Sequence, residues 1–85
     1  MRLSRAHRRL LQALAAGHIL KAHRDLEGGK VFRLHFADGR PAEVLERRLA
    51  DDLVAQGLLD SNKKFPAATF WLTAAGRELA RAPER

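Results

Sequence analysis

Three arginines near the start of the chain are spaced to form one charged surface. Arg5, Arg8 and Arg9 recur with Gln12 at helical spacing, and residues 1–24 carry six basic side chains and no acidic one. Residues three and four apart lie on the same face of a helix. A row of guanidinium groups without carboxylates suits phosphates or an acidic protein surface, and a solvated face that keeps the protein in solution is the third interpretation.

A second group of candidate contact residues lies nearer the C-terminus. Lys63 and Lys64 form a basic pair shortly before the aromatic pair Phe70 and Trp71. Because adjacent residues of a strand point to opposite faces, one aromatic side chain should face the core and the other should stay more exposed. We take Trp71 as the candidate contact residue: beside the lysines it would anchor a protein interface or stack on a base, and packing on the last helix is the alternative.

The residues available for metal or catalytic chemistry are poorly arranged for it. The chain has four histidines and no cysteine, and zinc needs three or four ligands. His23-Arg24-Asp25 imitates a kinase catalytic loop, but Lys30 stands where that loop needs Asn. No nucleophile, base and orienting residue fall at a recognisable spacing. We therefore predict no metal, no cofactor and no enzymatic activity, and keep Arg24 as a contact residue at a hairpin edge.

Length and composition limit the fold to one small domain. The chain has 85 residues, a net charge of +6 and 46% hydrophobic residues. A domain of this size buries roughly 60 to 65% of its unfolded surface, which leaves little room for a deep catalytic cleft. No apolar run approaches the roughly 18 residues of a membrane span, and the lack of cysteine fits a reducing compartment. We expect a soluble cytoplasmic protein whose basic N-terminal segment is a folded helix rather than a targeting leader.

The first half of the chain predicts a helix followed by a β-hairpin. Ser4 and Gly17 suit the two ends of the helix, with Ala6, Leu10, Ala13 and Leu14 on its buried stripe. From Ile19 to Phe36 the apolar period changes to two, with a turn at Gly28-Gly29. A three-residue loop of Gly28, Gly29 and Lys30 predicts these cross-strand pairs: Leu26 with Phe32, Arg24 with Leu34, Ala22 with Phe36, Asp25 with Arg33, and His23 with His35.

The middle of the chain predicts a second helix that ends at Gly57. Its start has two interpretations: Pro41 opens the helix, or Arg40 to Val44 is extended and the helix begins near Leu45. In the first case, Glu43 and Arg47 are spaced for an ion pair.

The last third predicts a strand, a basic loop, a strand and a closing helix. Leu58 to Ser61 and Ala68 to Leu72 are the strands, and Asn62 to Pro66 is the loop. Thr73 caps a short helix that runs to Ala82 before Pro83. The whole order is that of an α+β, winged-helix-like single domain over residues 1–85: helix, β-hairpin, helix, β-wing and short C-terminal helix.

A set of short motifs carries a resemblance to one bacterial family. They are Leu3-Ser4-Arg5, Arg9, Leu11, Leu14-Ala15, Gly17, Arg24-Asp25 and Gly28, followed by Leu49-Ala50, Ser61, Pro66 and Gly76. The pattern spans nearly the whole chain and resembles the YjhX family of toxin-like proteins from toxin-antitoxin pairs. The resemblance implies a non-catalytic inhibitor that docks on a DNA-processing enzyme such as DNA topoisomerase I, with an antitoxin as a further partner. The family's second helix is rich in lysine, whereas this chain has Asp51 and Asp52 there.

The distribution of charge bears on the choice between a protein partner and DNA. Residues 1–24 carry six bases, residues 25–60 carry five bases and eight acids, and residues 61–85 carry five bases and two acids. A helix that reads the DNA major groove presents Arg, Lys, Asn or Gln, whereas the second helix presents carboxylates. We therefore expect a protein partner first, and a winged-helix transcriptional regulator held on the DNA backbone as the alternative. The candidate contact residues are Arg5, Arg8, Arg9, Arg24, Lys63, Lys64 and Trp71.

Overall fold

The computed structural model describes residues 3–63 and 67–81, which form three helices and five strands. In chain order these are α1 (Arg5–Ala15), β1 (Ile19–Arg24), β2 (Lys30–His35), β3 (Glu43–Leu45), α2 (Arg47–Ala55), β4 (Leu59–Ser61), β5 (Ala67–Leu72) and α3 (Ala74–Arg81). The strands form one antiparallel sheet in the order β3-β2-β1-β5-β4. The prediction of a single α+β domain is confirmed at this level. Within the described ranges, no helix has the length and apolar character to cross a membrane.

The core lies on one side of the sheet. Alternate residues of the strands point into it, as the period of two predicts: Leu20, Ala22, Phe32, Leu34, Leu59 and Leu72. Leu10, Leu11, Ala50 and Leu53 close it from α1 and α2, and Leu79 and Ala80 of α3 pack on the same cluster. All three helices therefore cover this side. The opposite side, which we call the open face, is not covered by any element of residues 3–63 and 67–81.

Helix α1 begins and ends as predicted, but its buried stripe is rotated. The Ser4 hydroxyl accepts a hydrogen bond from the amide of His7 (3.2 Å), and Gly17 adopts a φ of 102° after the helix. The prediction that Ala6 is buried is wrong, because His7 and Leu11 are buried instead. The hydrogen bonds of the imidazole compensate for its burial, which a pattern of apolar residues does not register.

The predicted register of the hairpin is wrong by four residues. Arg24 lies opposite Lys30, Ala22 opposite Phe32 and Leu20 opposite Leu34. The loop is longer than predicted because the Asp25 carboxylate accepts hydrogen bonds from the amides of Glu27 (2.9 Å) and Gly29 (2.8 Å). The same residues still face the core, since a shift of an even number of residues preserves the faces.

All five predicted cross-strand pairs of the hairpin are lost with that register. Leu26 is fully exposed in the loop rather than opposite Phe32. Asp25 does not pair with Arg33, because its carboxylate holds the loop amides. The strand partner of His23 is Val31, although its ring still lies 6.2 Å from that of His35.

The second helix starts late, and the extended alternative for its start is confirmed. Glu43–Leu45 is a short strand that pairs with β2, so the prediction that Pro41 opens the helix is wrong. Leu45 lies opposite Phe32, and this pairing holds the segment on the edge of the sheet. The predicted ion pair between Glu43 and Arg47 is absent; Arg47 contacts Asp51 instead (3.1 Å).

The C-terminal third follows the predicted order of strand, strand and helix. The Thr73 hydroxyl accepts a hydrogen bond from the Gly76 amide (3.1 Å) and donates one to the Gly57 carbonyl oxygen (2.6 Å), so the predicted cap of α3 is confirmed. Of the predicted wing, only Asn62 and Lys63 are described. The predicted helix end at Ala82 and Pro83 also lies outside the described residues.

Candidate functional site

The candidate contact residues occupy three separate regions. Arg5, Arg8 and Arg9, which we call the arginine row, lie on the N-terminal half of α1. Arg24 ends β1 and Lys63 follows β4 at one end of the sheet, whereas Trp71 lies at the other end. Lys64 lies outside the described residues. The prediction was one surface formed by the first helix and the late lysines. The arginine row and Lys63 lie instead in separate regions.

The arginine row has no carboxylate partner among the described residues. Arg5 and Arg9 are exposed and Arg8 is half-buried. The ion pairs of the described chain involve other residues. Arg9 also lines a cavity of about 220 Å³ between α1 and the β2–β3 edge, together with Arg40 and Glu43. The row thus remains available for an anionic partner.

A buried polar contact holds the helix that carries this row. His7 Nε2 lies 2.8 Å from Asp52 Oδ2 of α2, and His7 Nδ1 lies 2.6 Å from Ser4 Oγ. The Ser4 amide also donates to Nδ1 (3.0 Å), so we assign the imidazole proton to Nε2, which donates it to the carboxylate. The Ser4 hydroxyl accepts a hydrogen bond from the His7 amide and so caps the helix. We therefore interpret this Ser-His-Asp arrangement as structural.

The other two described basic candidates, Arg24 and Lys63, lie where strands end: Arg24 before the β1–β2 loop and Lys63 after β4. Arg24 Nη1 donates to the Gly28 carbonyl oxygen (2.8 Å), so this side chain helps to close the loop. Lys63 follows β4 with a φ of 53°. The prediction that Trp71 lies beside Lys63 is wrong, because Trp71 pairs with Asp60, three residues earlier along β4.

Trp71 lies at a cleft where two strands separate. The pairing of β1 with β5 ends at Leu20 and Phe70, so Ile19 and Trp71 diverge. The resulting cavity has a volume of about 490 Å³ and is lined by Leu14, Ala15, Gly17, His18, Ile19, Thr69, Phe70, Trp71, Leu72, Arg77 and Arg81. Trp71 is 44% exposed, whereas Phe70 packs on Phe32 in the core. The prediction that the two aromatic neighbours divide between core and surface is confirmed. We call this cavity the Trp71 cleft.

Two cations of the Trp71 cleft were missed by the sequence analysis. Arg77 and Arg81 are exposed on α3 and line the cleft together. Arg81 has a 3.8 Å contact with Glu78, which is exposed. The two arginines are four residues apart, which places both on one face of α3. This spacing is visible in the sequence and could have identified them as a pair. Only the tertiary structure brings them to Trp71.

One further cation, Arg40, already makes contacts within the chain. Arg40 lies over the Phe36 ring, 4.1 Å from its centroid, and donates through Nε to Asp38 (2.8 Å). These hydrogen bonds from Arg40 hold the pKa of the Asp38 carboxyl below its ordinary value. Within the described ranges, no three His, Asp or Glu side chains are grouped to hold a metal ion.

Comparisons of the chain with protein-family models, curated proteins and solved structures give no significant match. The functional interpretation therefore depends on the geometry above and on the family resemblance of the motifs, which stays a prediction.

Proposed function

We propose that the protein is a small, basic, non-catalytic binding protein that docks on an acidic surface of a DNA-processing enzyme in the bacterial cytoplasm. DNA topoisomerase I is the target implied by the family resemblance. The Trp71 cleft carries the proposal, because it combines an exposed indole, an apolar floor and two guanidinium groups. Trp and Arg are the residue types most enriched at the energetic centre of protein interfaces.

In this proposal the cleft receives an apolar side chain of the partner. Arg77 and Arg81 meet carboxylates that flank this side chain, and the arginine row extends the cationic contact along α1. A cognate antitoxin would cover the same cations. We treat the scaffold as winged-helix-like in this proposal. The hydrogen bond from the Thr73 amide to the Leu58 carbonyl oxygen (3.1 Å), which joins the end of α2 to the start of α3, supports this treatment.

A binding experiment with purified bacterial DNA topoisomerase I tests the cleft. Trp71→Ala should weaken the affinity by about thirtyfold or more, the scale of an interface hot spot of 2 kcal/mol. The double variant Arg77→Ala, Arg81→Ala should also weaken it, whereas Arg47→Ala, Arg48→Ala removes the same charge from α2 and should not. Equal losses of affinity in both double variants would show that net charge alone causes the effect. That result would refute the Trp71 cleft as the contact.

The arginine row has its own test in the relaxation of supercoiled plasmid by the enzyme. The triple variant Arg5→Ala, Arg8→Ala, Arg9→Ala should keep the circular dichroism spectrum of the folded protein and lose the inhibition. Inhibition that persists in this variant would remove the row from the mechanism.

Salt separates this function from a winged-helix regulator on duplex DNA. A protein that neutralises several phosphates loses affinity with a log-log slope of about −0.9 per phosphate. A complex anchored by Trp71 should weaken much less over the same range, and it should persist after nuclease treatment. Helix α2 favours the protein partner, because its two arginines and two aspartates sum to zero and add no net positive charge for DNA phosphates.

A further inference from the structure

The open face of the sheet carries a second, unrelated concentration of positive charge. β1 is the central strand of the sheet, and its residues alternate between the core and this face. Lys21 lies directly opposite Arg33 of β2, with Thr69 of β5 on the other side of Lys21. Like charges directly opposite one another destabilise a strand pair, so the arrangement is unfavourable for the fold alone.

No acidic side chain of residues 3–63 and 67–81 relieves this pair. Neither Lys21 nor Arg33 takes part in an ion pair with another described residue. Strand alternation places one described acidic residue on the open face, Asp60 of the edge strand β4, and its carboxylate accepts the amide of Ser61 (2.8 Å). The centre of the open face is therefore cationic, and an anionic ligand would remove the repulsion.

An exposed indole lies beside the cations. Trp71 follows Thr69 by two residues on the same side of β5, which makes it the diagonal neighbour of Lys21. Diagonal neighbours on paired strands are about 7 to 8 Å apart, and because β1 and β5 separate after Leu20 and Phe70, the indole lies at the outer limit of this neighbourhood. The indole is 44% exposed at this position. The face thus offers a flat aromatic surface within reach of two adjacent positive charges.

We propose that the open face binds single-stranded nucleic acid, with phosphates at Lys21 and Arg33 and a base stacked on Trp71. Sheets that bind single strands combine these two elements, because a phosphate and an exposed base recur in every nucleotide. A duplex keeps its bases stacked inside and cannot use the indole in this way. Polyglutamate satisfies the charges but supplies no aromatic ring to stack on the indole.

Direct titration with a short oligothymidylate tests this proposal. Trp71 is the only tryptophan of the chain, so its fluorescence reports the stacked base directly, and it should be quenched on binding. The double variant Lys21→Ala, Arg33→Ala should lower the affinity by at least about tenfold and reduce the salt slope by about 1.4, because single strands give about −0.7 per phosphate. Arg47→Ala, Arg48→Ala is the matched control and should change neither.

A second variant distinguishes a loss of binding from a loss of the fold. Lys21→Glu replaces the repulsion with an ion pair to Arg33, so it should raise the urea midpoint of unfolding while it abolishes binding. Trp71→Phe keeps a smaller ring and should bind a labelled oligonucleotide more weakly than the parent but more tightly than Trp71→Ala.

Three results would overturn the proposal: affinity and salt slope that are unchanged in Lys21→Ala, Arg33→Ala; a duplex that binds as tightly as the single strand; or polyglutamate that competes equally well at matched charge. These outcomes leave the docking proposal standing, because they concern Lys21, Arg33 and nucleic acid. The docking proposal depends on protein contacts of Trp71, Arg77, Arg81 and the arginine row, and is tested in the presence of nuclease.

Discussion

At the scale of single residues, the contact between His7 and Asp52 is the polar contact with the largest expected effect on stability. His7 is 7% exposed and donates to Asp52 from a position set by the Ser4 cap. Removing one partner leaves a buried polar group without its hydrogen bond, which costs about 1 to 3 kcal/mol. We expect Asp52→Ala to lower the free energy of unfolding in urea by this amount.

Substitution of the neighbouring Asp51 by Ala is the control for the predicted loss of unfolding free energy. Asp51 contacts Arg47 on the exposed side of the same helix, where an ion pair contributes about 0.3 to 0.5 kcal/mol. Asp52→Asn keeps an oxygen that accepts from Nε2, so it should be milder than Asp52→Ala. A double-mutant cycle of His7→Ala and Asp52→Ala should be clearly less than additive; strict additivity would show that the two side chains are not coupled.

At the scale of elements, the packing of α3 depends on the absence of a side chain at Gly76. A Cβ atom at this position would collide with the carbonyl oxygen of Leu58, which is backbone and is held by the Thr73 amide. Alanine is the better helix former by about 1 kcal/mol, but overpacking against backbone costs about 1 to 3 kcal/mol. We expect Gly76→Ala to lower the thermal midpoint of unfolding despite the gain in helix propensity.

The adjacent position separates propensity from packing. Ala75 is exposed on the same helix, and Ala75→Gly should cost only the propensity difference of about 1 kcal/mol. If Gly76→Ala were as stable as the parent or more so, the close contact between α3 and the end of α2 would be wrong.

The elements differ in how well the sequence predicted them. Helix α1 and the cap of α3 depend on residues within one helical turn, so Ser4 and Thr73 identified both starts correctly. The hairpin register depends on the conformation of a loop, and a single carboxylate, that of Asp25, selects a loop that apolar alternation does not reveal. Strand β3 depends on an edge of the sheet that exists only after β2 has folded.

At the scale of the whole molecule, one small core supports both proposed surfaces. Leu53 is fully buried at its centre, and Leu-to-Ala substitutions in cores cost about 2 to 5 kcal/mol. A domain of this length is stabilised by only about 4 to 13 kcal/mol in total. Leu53→Ala should therefore shift the urea midpoint strongly and, if the domain unfolds in one step, leave the slope of the transition unchanged.

Val54 is the matched control for the core. It is the next residue of α2 and is 44% exposed, so Val54→Ala should change the unfolding free energy by about 0.5 kcal/mol or less. Trp71 fluorescence and circular dichroism should report the same midpoint in both variants. Separate midpoints would mean that the sheet and the helices unfold independently.

Properties that depend on neighbouring residues could be predicted from the amino-acid sequence: the helical arginine row, the caps, the alternation of the strands and the excess of basic side chains. It also predicted that one residue of the Phe70-Trp71 pair would remain at the surface. Tertiary contacts set which groups come together: His7 with Asp52, Lys21 with Arg33, and Arg77 and Arg81 around the same cleft as Trp71. The physical reason is distance along the chain: these contacts follow from loop conformation and strand register, and a change of register exchanges every cross-strand partner while it leaves the local pattern intact.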